Sequence, residues 1–160
     1  MNKEITVGHY LSPLGLIEVV GGEDAVYSIC FVDDEDKKDS KLSDPVKDGL
    51  QQLNEYFFEG RKTFDFSFSL NSASTTFSKS AWSVAAAIPY GETVSYAHLA
   101  REVGNPRACR AVASAMAYNR LLIVIPCHRV IASDGSLSGY RGGVWRKKWL
   151  LEYERRMFFL

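Results

Sequence analysis

The chain has little cysteine, little proline and no long apolar run. Its 160 residues include three cysteines and five prolines, and the apolar run that begins at Leu121 is ended by Pro126, far short of the roughly 20 residues that a membrane-spanning helix needs. A spanning helix, and with it a membrane partner, is therefore not expected. Three cysteines are too few and too odd a number for a disulfide framework, which points to free thiols in a reducing compartment. The opening MNKEITVGHY has no apolar core of a secretory signal, so the expected location is the cytoplasm, or the nucleus in a eukaryote. Histidine and cysteine nowhere fall at zinc-ligand spacing in the N-terminal half, where His9 and Cys30 are the only candidates; neither a metal nor a cofactor is expected. What remains is 46% hydrophobic and 12% aromatic, a composition that excludes disorder and suits one domain or two small ones.

The charge balance of 19 basic and 19 acidic residues conceals a division. Residues 1–72 hold 7 Lys and Arg against 14 Asp and Glu, a net of −7, and residues 73–160 hold 12 against 5, a net of +7. Nucleic acid would be repelled by the first part. The second, with Arg101, Arg107, Arg110, Arg120, Arg129, Arg141 and Lys147, could bind phosphates or simply carry a solvated basic surface.

Three β-branched and aromatic stretches, Ile5–Tyr10, Leu16–Val20 and Ala25–Val32, are separated by turn residues at 12–15 and 21–24, which predicts three short strands. The polar run 33–44 reads as a loop, Pro45 opens a helix with Val46, Leu50, Leu53 and Phe57 on one face, and Gly60 stops it. Phe64, Phe66, Phe68 and Leu70 alternate with polar residues, the period of a half-buried strand. The polar stretch 71–76 coincides with the change of charge and is the expected domain boundary. Beyond it the chain reads as mostly helical. Phe77, Ala81, Val84 and Ile88 form one helix face; Tyr96 to Val103 form a second helix, capped by Ser95 or Thr93 and closed by Gly104; Asn105 and Pro106 are placed as N-cap and first residue of a third. A helix, a tight glycine turn and a helix carrying Arg107 and Arg110 outline a helix-turn-helix. An apolar run predicted as extended, Leu121–Ile125, leads to Cys127, and a last amphipathic helix spans about Val144 to Glu154. The expected fold class is α+β: a small N-terminal domain with an antiparallel sheet, residues 1–72, then a mostly helical domain with a helix-turn-helix, residues 73–160.

Cys30 and Cys109 read as packing residues in a strand and on an inward helix face. Cys127 stands between a proline and the pair His128-Arg129, where the chain must turn. A thiol becomes a nucleophile as the thiolate, and neighbouring cationic or hydrogen-bonding groups favour that form.

Four ordered segments, IPYGETVSY, RAVASAMAYN, IPCHRVIASDGSLSGYRGG and KKWLLEYE, together resemble the O6-alkylguanine-DNA alkyltransferase family, the repair proteins that take an alkyl group from guanine onto their own cysteine. The resemblance covers residues 74–154, with PCHRV the most specific piece, and the N-terminal part matches more loosely through its SPLG turn. It implies that Cys127 is the acceptor, that His128 is a general base acting through a bridging water, that Glu154 orients the imidazole, and that Asn119 braces the turn carrying the cysteine. It implies further that Arg110 enters the base stack in place of a flipped nucleotide, with Arg107, Ala111, Ser114 and Arg129 along the DNA. Tyr96 would crowd the 3′ phosphate and then hold the base, Tyr140 would lie against the alkylguanine, the Arg141 amide would meet O6, and Val130 would contribute a backbone contact. The implied partner is double-stranded DNA containing O6-alkylguanine, bound by a monomer, with O6-methylguanine as the substrate and O4-methylthymine as a candidate second one. With no second thiol, metal or cofactor motif placed to regenerate Cys127, the transfer implied is a single turnover.

The chain departs from the family pattern at Arg120, where proline is usual, at Ser78 in place of glutamine, and at Arg141 beside the pocket tyrosine in place of a small residue. Three other readings stand beside the first. A lesion-binding relative without transfer activity would lack the acceptor, a helix-turn-helix transcriptional regulator would need more base-reading side chains than the Ala-rich third helix offers, and a Cys-dependent hydrolase would need an oxyanion hole.

Overall fold

The computed structural model of the protein describes residues 4–33 and 41–160, so most of the polar run 33–44 lies outside the described residues. Two compact units divide the chain, Met1–Ser72 and Ala73–Leu160. The first has a three-stranded antiparallel sheet, β1 (Thr6–Ser12), β2 (Gly15–Gly21) and β3 (Val26–Phe31), in that order, followed by helix α1 (Asp44–Phe58). β1 and β2 pair from Thr6 opposite Gly21 to Ser12 opposite Gly15, a two-residue hairpin whose Ser12 hydroxyl accepts from the Leu14 N–H and donates to the Gly15 carbonyl. Ile17, Val19, Val26 and Ile29 are buried with Val46, Leu53, Tyr56 and Phe57 of α1. The contact is close, since a Cβ at Gly8 would lie 2.7 Å from Leu50.

The segment Phe64–Leu70 keeps the expected alternation without the expected strand. Phe66 is buried between exposed Asp65 and Ser67, but the only pairing with β3 is a single bridge at Val26, which donates to the Ser67 carbonyl and accepts from Ser69. Ring contacts position the segment instead: Tyr56 with Phe64, Phe64 with Phe66, and Phe66 with Phe68, at centroid separations of 5.7, 6.1 and 5.8 Å. Period-2 burial can thus be satisfied by aromatic packing without a ladder.

The second unit contains α2 (Thr76–Ala86), the short strand β4 (Val94–Ser95), α3 (Tyr96–Val103), α4 (Cys109–Ala117), a 3₁₀ turn at Cys127–Arg129, β5 (Val130–Ile131) and α5 (Val144–Phe158). Thr75 and Ser95 cap α2 and α3 by accepting from the N–H groups of Ser78 and His98. α2, α3 and α4 share a core of Ala81, Trp82, Leu99, Val112, Ala115 and Met116, and the Trp82 indole donates to the Ala115 carbonyl at 3.0 Å. Val94 and Ser95 pair in parallel with Val130 and Ile131, which ties the entry to α3 to the chain just after Cys127.

Two local expectations are corrected. Asn105 does not cap α4: its side chain accepts from Arg107 N–H and its carbonyl from Ala108 N–H, a separate turn, and Ala108 at ψ 24 interrupts the helical path. The connection after Gly104 is therefore longer than a tight glycine turn, and Arg107 lies in it rather than on the second helix. Leu121–Ile125 is not extended either. It turns back so that the Ile125 N–H meets the Leu121 carbonyl at 2.9 Å, with Ile123 at φ 73, a left-handed conformation that is unfavourable for a β-branched residue.

Candidate functional site

Cys127 opens the 3₁₀ turn that follows this apolar hairpin, and only 2% of its surface is exposed. Asn119, fully buried just beyond the end of α4, fastens the hairpin. Its amide nitrogen faces the Ile125 carbonyl at 2.9 Å, Cys127 Sγ at 3.1 Å and the Leu121 carbonyl at 3.4 Å, while its oxygen accepts from the Leu121 N–H at 2.9 Å. A carboxamide supplies donor and acceptor together, as these opposed groups require.

The next two residues turn toward α5. Lys147, Leu150, Tyr153 and Glu154 are buried on that helix, and Lys147, Leu150 and Glu154 share one face at i, i+3 and i+7, so a charged residue stands at each end of that stripe. His128 Nε2 lies 2.7 Å from Glu154 Oε2. Because an ionised carboxylate can only accept, Nε2 carries a proton, and in the neutral ring Nδ1 keeps its lone pair. No described residue hydrogen-bonds that buried Nδ1. Arg129 grips the same carboxylate, Nε donating to Oε1 at 2.7 Å and one terminal nitrogen to Oε2 at 3.0 Å, while the other donates to the Ile88 carbonyl at 2.7 Å.

The electrostatics follow from this burial. Burial pushes the Cys127 thiol up to about 11, against the Asn119 hydrogen bond and the Lys147 ammonium, which both favour the thiolate. Burial also lowers the His128 imidazole below its ordinary value; Glu154 opposes this, and the Arg129 and Lys147 charges reinforce it. Glu154, which burial alone would raise, is held well below the ordinary carboxylate range by His128 and the Arg129 guanidinium. At neutral pH the site is a neutral thiol, a neutral imidazole and an ionised carboxylate.

Lys147 lies at the other side of the turn, fully buried. Its ammonium donates to the carbonyls of Val130 (2.7 Å) and Ser138 (2.9 Å) and to the Tyr96 hydroxyl (3.3 Å), which also accepts from Ser138 Oγ at 3.2 Å. Tyr140, also buried, sets its ring edge-on to His128 at 6.5 Å between centroids. α3, the loop before α5, the Cys127 turn and α5 thus meet around one charged side chain.

Residues 76–156 match the family model of the 6-O-methylguanine DNA methyltransferase DNA-binding domain. The methylated-DNA–protein-cysteine methyltransferase of Mycolicibacterium paratuberculosis is 38% identical over 149 residues, which cover 91% of this chain and 89% of that one. This chain belongs to the methylated-DNA–protein-cysteine methyltransferases. The α+β fold agrees: the Mycobacterium tuberculosis O6-methylguanine methyltransferase superimposes with a TM-score of 0.84 at 32% identity, over 96% of this chain and 94% of that one. A second Mycobacterium tuberculosis structure, OGT in complex with DNA, gives 0.81 at 35% identity, over 93% and 92%.

In this methyltransferase, then, two buried hydrogen-bonded pairs, Asn119–Cys127 and His128–Glu154, meet at adjacent residues of one turn, with Val130, Tyr140 and, through Lys147, Tyr96 beside them. Arg110, Ala111 and Ser114 lie apart from those pairs, exposed along the outer face of α4, with exposed Arg107 in the turn before it and Arg141 exposed on the loop after Tyr140. Arg129 is a correction. Expected along DNA, it is 5% exposed and committed to Glu154 and Ile88, because a buried carboxylate needs a buried cation. Lys147, counted with the basic surface, is corrected in the same way, and its place among the site residues was missed. The available signal was its spacing, three residues before Leu150 and seven before Glu154 on one face of α5.

Proposed function

We propose that this protein repairs O6-alkylguanine in double-stranded DNA, O6-methylguanine above all and O4-methylthymine as a candidate second substrate, by moving the alkyl group irreversibly to Cys127, once per molecule and as a monomer. The observation that carries the reading is the burial in one turn of a thiol held by Asn119 and, on the next residue, an imidazole held by Glu154 and Arg129: a thiol, a neutral imidazole with a ring nitrogen that no described residue bonds, and a carboxylate fixing the tautomer. Activated nucleophiles are built from these parts. The relative solved with DNA supports DNA as the partner.

The thiol proton passes through a bridging water to His128 Nδ1, and the thiolate attacks the alkyl carbon. The S–C bond forms as the C–O6 bond breaks, and the guanine leaves with a proton in place of the alkyl group, so the sum is thiol plus alkylguanine giving thioether plus guanine. An alkyl group inside a base stack is out of reach of a buried sulfur, so the nucleotide is flipped out. Arg110 fills its place, Ala111 and Ser114 allow close approach to the groove, and Arg107 meets a phosphate. Tyr96, Tyr140, Val130 and the Arg141 amide then receive the base. Lys147 already occupies the Val130 carbonyl on one lone pair, leaving the second for the purine.

The decisive experiment is intact-mass spectrometry after incubation with a duplex containing O6-methylguanine, followed by peptide mapping. A stoichiometric gain of one methyl on Cys127 is expected. Retained lesion binding with no change of mass would mean a lesion-binding protein and overturn the reading.

A further inference from the structure

The two oxygens of the Glu154 carboxylate accept from both His128 and Arg129: His128 on Oε2, one arm of Arg129 on the same oxygen, and the Arg129 Nε on Oε1. The third arm of Arg129 is held by the Ile88 carbonyl, and its guanidinium carbon lies 5.5 Å from the centre of the Tyr90 ring. Two carboxylate oxygens, a carbonyl and a ring face fix the guanidinium in place, and Arg129, His128 and Glu154 are all buried.

This arrangement decides where one proton goes. A buried carboxylate beside an imidazole, with no other cation, would neutralise itself by drawing a proton onto the ring. The ring would then carry hydrogen on both nitrogens, and Nδ1 could accept nothing from a thiol. Around His128 stand Glu154 and Lys147 from α5, Arg129 and Cys127 on its own turn, and the Tyr140 ring from the preceding loop; Tyr90 and Tyr153, close to Glu154, stay neutral because burial raises both phenols. With Glu154 ionised and Arg129 and Lys147 cationic, the buried group already has a net charge of +1. Protonating His128 would make it +2.

We propose that Arg129 is a positioning residue of the transfer reaction: it occupies Glu154 so that the carboxylate orients His128 without drawing a second proton onto the ring, leaving Nδ1 free to take the thiol proton. The inference rests on the proposed transfer to Cys127. A guanidinium suits the task because it stays charged at every working pH and matches a carboxylate with two parallel bonds.

Nitrogen NMR of the His128 ring in the unalkylated wild-type protein tests the claim without any chemistry. At pH 7 the ring is expected to be neutral with its proton on Nε2, and a ring protonated at pH 7 overturns the proposal whether or not an alkyl group is ever transferred. The acid limb of the transfer rate against pH is the second readout. R129M should move that limb upward by about one pH unit, a tenfold loss below both limbs, while R129K, which keeps the charge but not the fork, should leave the limb near that of wild type and lower the plateau. A residue that merely supports the fold would lower the rate by the same factor at every pH, and that flat ratio in R129M also overturns the proposal. Should R129M fail to fold, a limb shifted in R129K as far as expected for R129M counts against it, and the wild-type spectrum decides. Failure of the wild type to transfer any alkyl group is a separate outcome, read from its mass, and overturns the transfer reading alone.

Discussion

Replacing Asn119 by alanine tests how much of the site depends on a single carboxamide. The side chain satisfies the Ile125 carbonyl and the Leu121 N–H at 2.9 Å each, with weaker contacts to Cys127 Sγ and the Leu121 carbonyl. Truncation strands the buried Leu121 N–H, at about 1–3 kcal/mol, and takes one of two donors from the Ile125 carbonyl, which keeps the Cys127 N–H, at about 1 kcal/mol. The same hairpin holds Ile123 at φ 73, a conformation that costs about 1–2 kcal/mol and persists because its neighbours enforce it. The expected destabilisation is therefore about 2–4 kcal/mol. With a urea m-value of about 2 kcal/mol/M, the midpoint falls by roughly 1–2 M. The assay is favourable, because all three tryptophans, Trp82, Trp145 and Trp149, lie in the second unit, so their fluorescence follows the unit that contains Asn119. N119D, of nearly equal volume, should also fail, since it turns an acceptor toward the Ile125 carbonyl. S114A, on the exposed face of α4, should stay within about 0.5 kcal/mol of wild type and serves as the control. An N119A protein within 1 kcal/mol of wild type would falsify the claim that this side chain holds the hairpin.

Three further outcomes are expected. K147M leaves the Val130 and Ser138 carbonyls without their buried donor and should lower stability by about 2–4 kcal/mol; an unchanged urea midpoint would contradict the ammonium's structural role. The Cys127 thiol is raised from 9.0 to about 11 in the folded protein, so the unfolded chain loses that proton first, and the thiol's contribution, full below pH 9, declines as pH rises toward 11 by roughly 2–3 kcal/mol. The stability difference between wild type and C127S, measured across pH 8 to 11, should show that slope, and a constant difference argues against a buried neutral thiol. Gly104 and Gly91 both have positive φ, but a Cβ at Gly104 meets nothing within 4 Å whereas one at Gly91 comes 2.6 Å from Phe158. G104A should cost about 1–2 kcal/mol of backbone strain and G91A more, by thermal melting; equal losses would mean that Phe158 yields freely.

Periodicity and turn chemistry located most elements because those signals are local. The hairpin Ser12–Gly15, the Ser95 cap and the Gly104 terminator all stand where adjacent residues place them. Phe64–Leu70 and Asn105 show the limit, since alternation does not say whether rings or a ladder satisfy it, and an Asn-Pro pair opens a turn as readily as a helix. In the site, the motifs point to Cys127, His128, Asn119 and Glu154, which the structure pairs as Asn119 with Cys127 and His128 with Glu154. The surroundings were less legible. Arg129 reads from the resemblance as a DNA contact and Lys147 as part of a basic surface, where charged residues usually lie, and only the fold reveals that Glu154 and three main-chain carbonyls are aligned to receive them. Buried cations of this kind depend on partners 9 to 41 residues away, a separation that no local pattern encodes.

The concealment of Cys127 bears on how long a molecule remains useful. With the thiol at about 11 and 2% exposed, on the order of one molecule in 10⁴ holds a thiolate at pH 7, and that sulfur is under cover. Cys30 and Cys109 are half-exposed and stand ahead of it for any oxidant or stray electrophile in solution. A reagent consumed in one reaction, as proposed for this protein, survives by being slow toward everything except the substrate that opens its site. Its lifetime is then set by encounters with damaged DNA and not by the ambient chemistry of the cell.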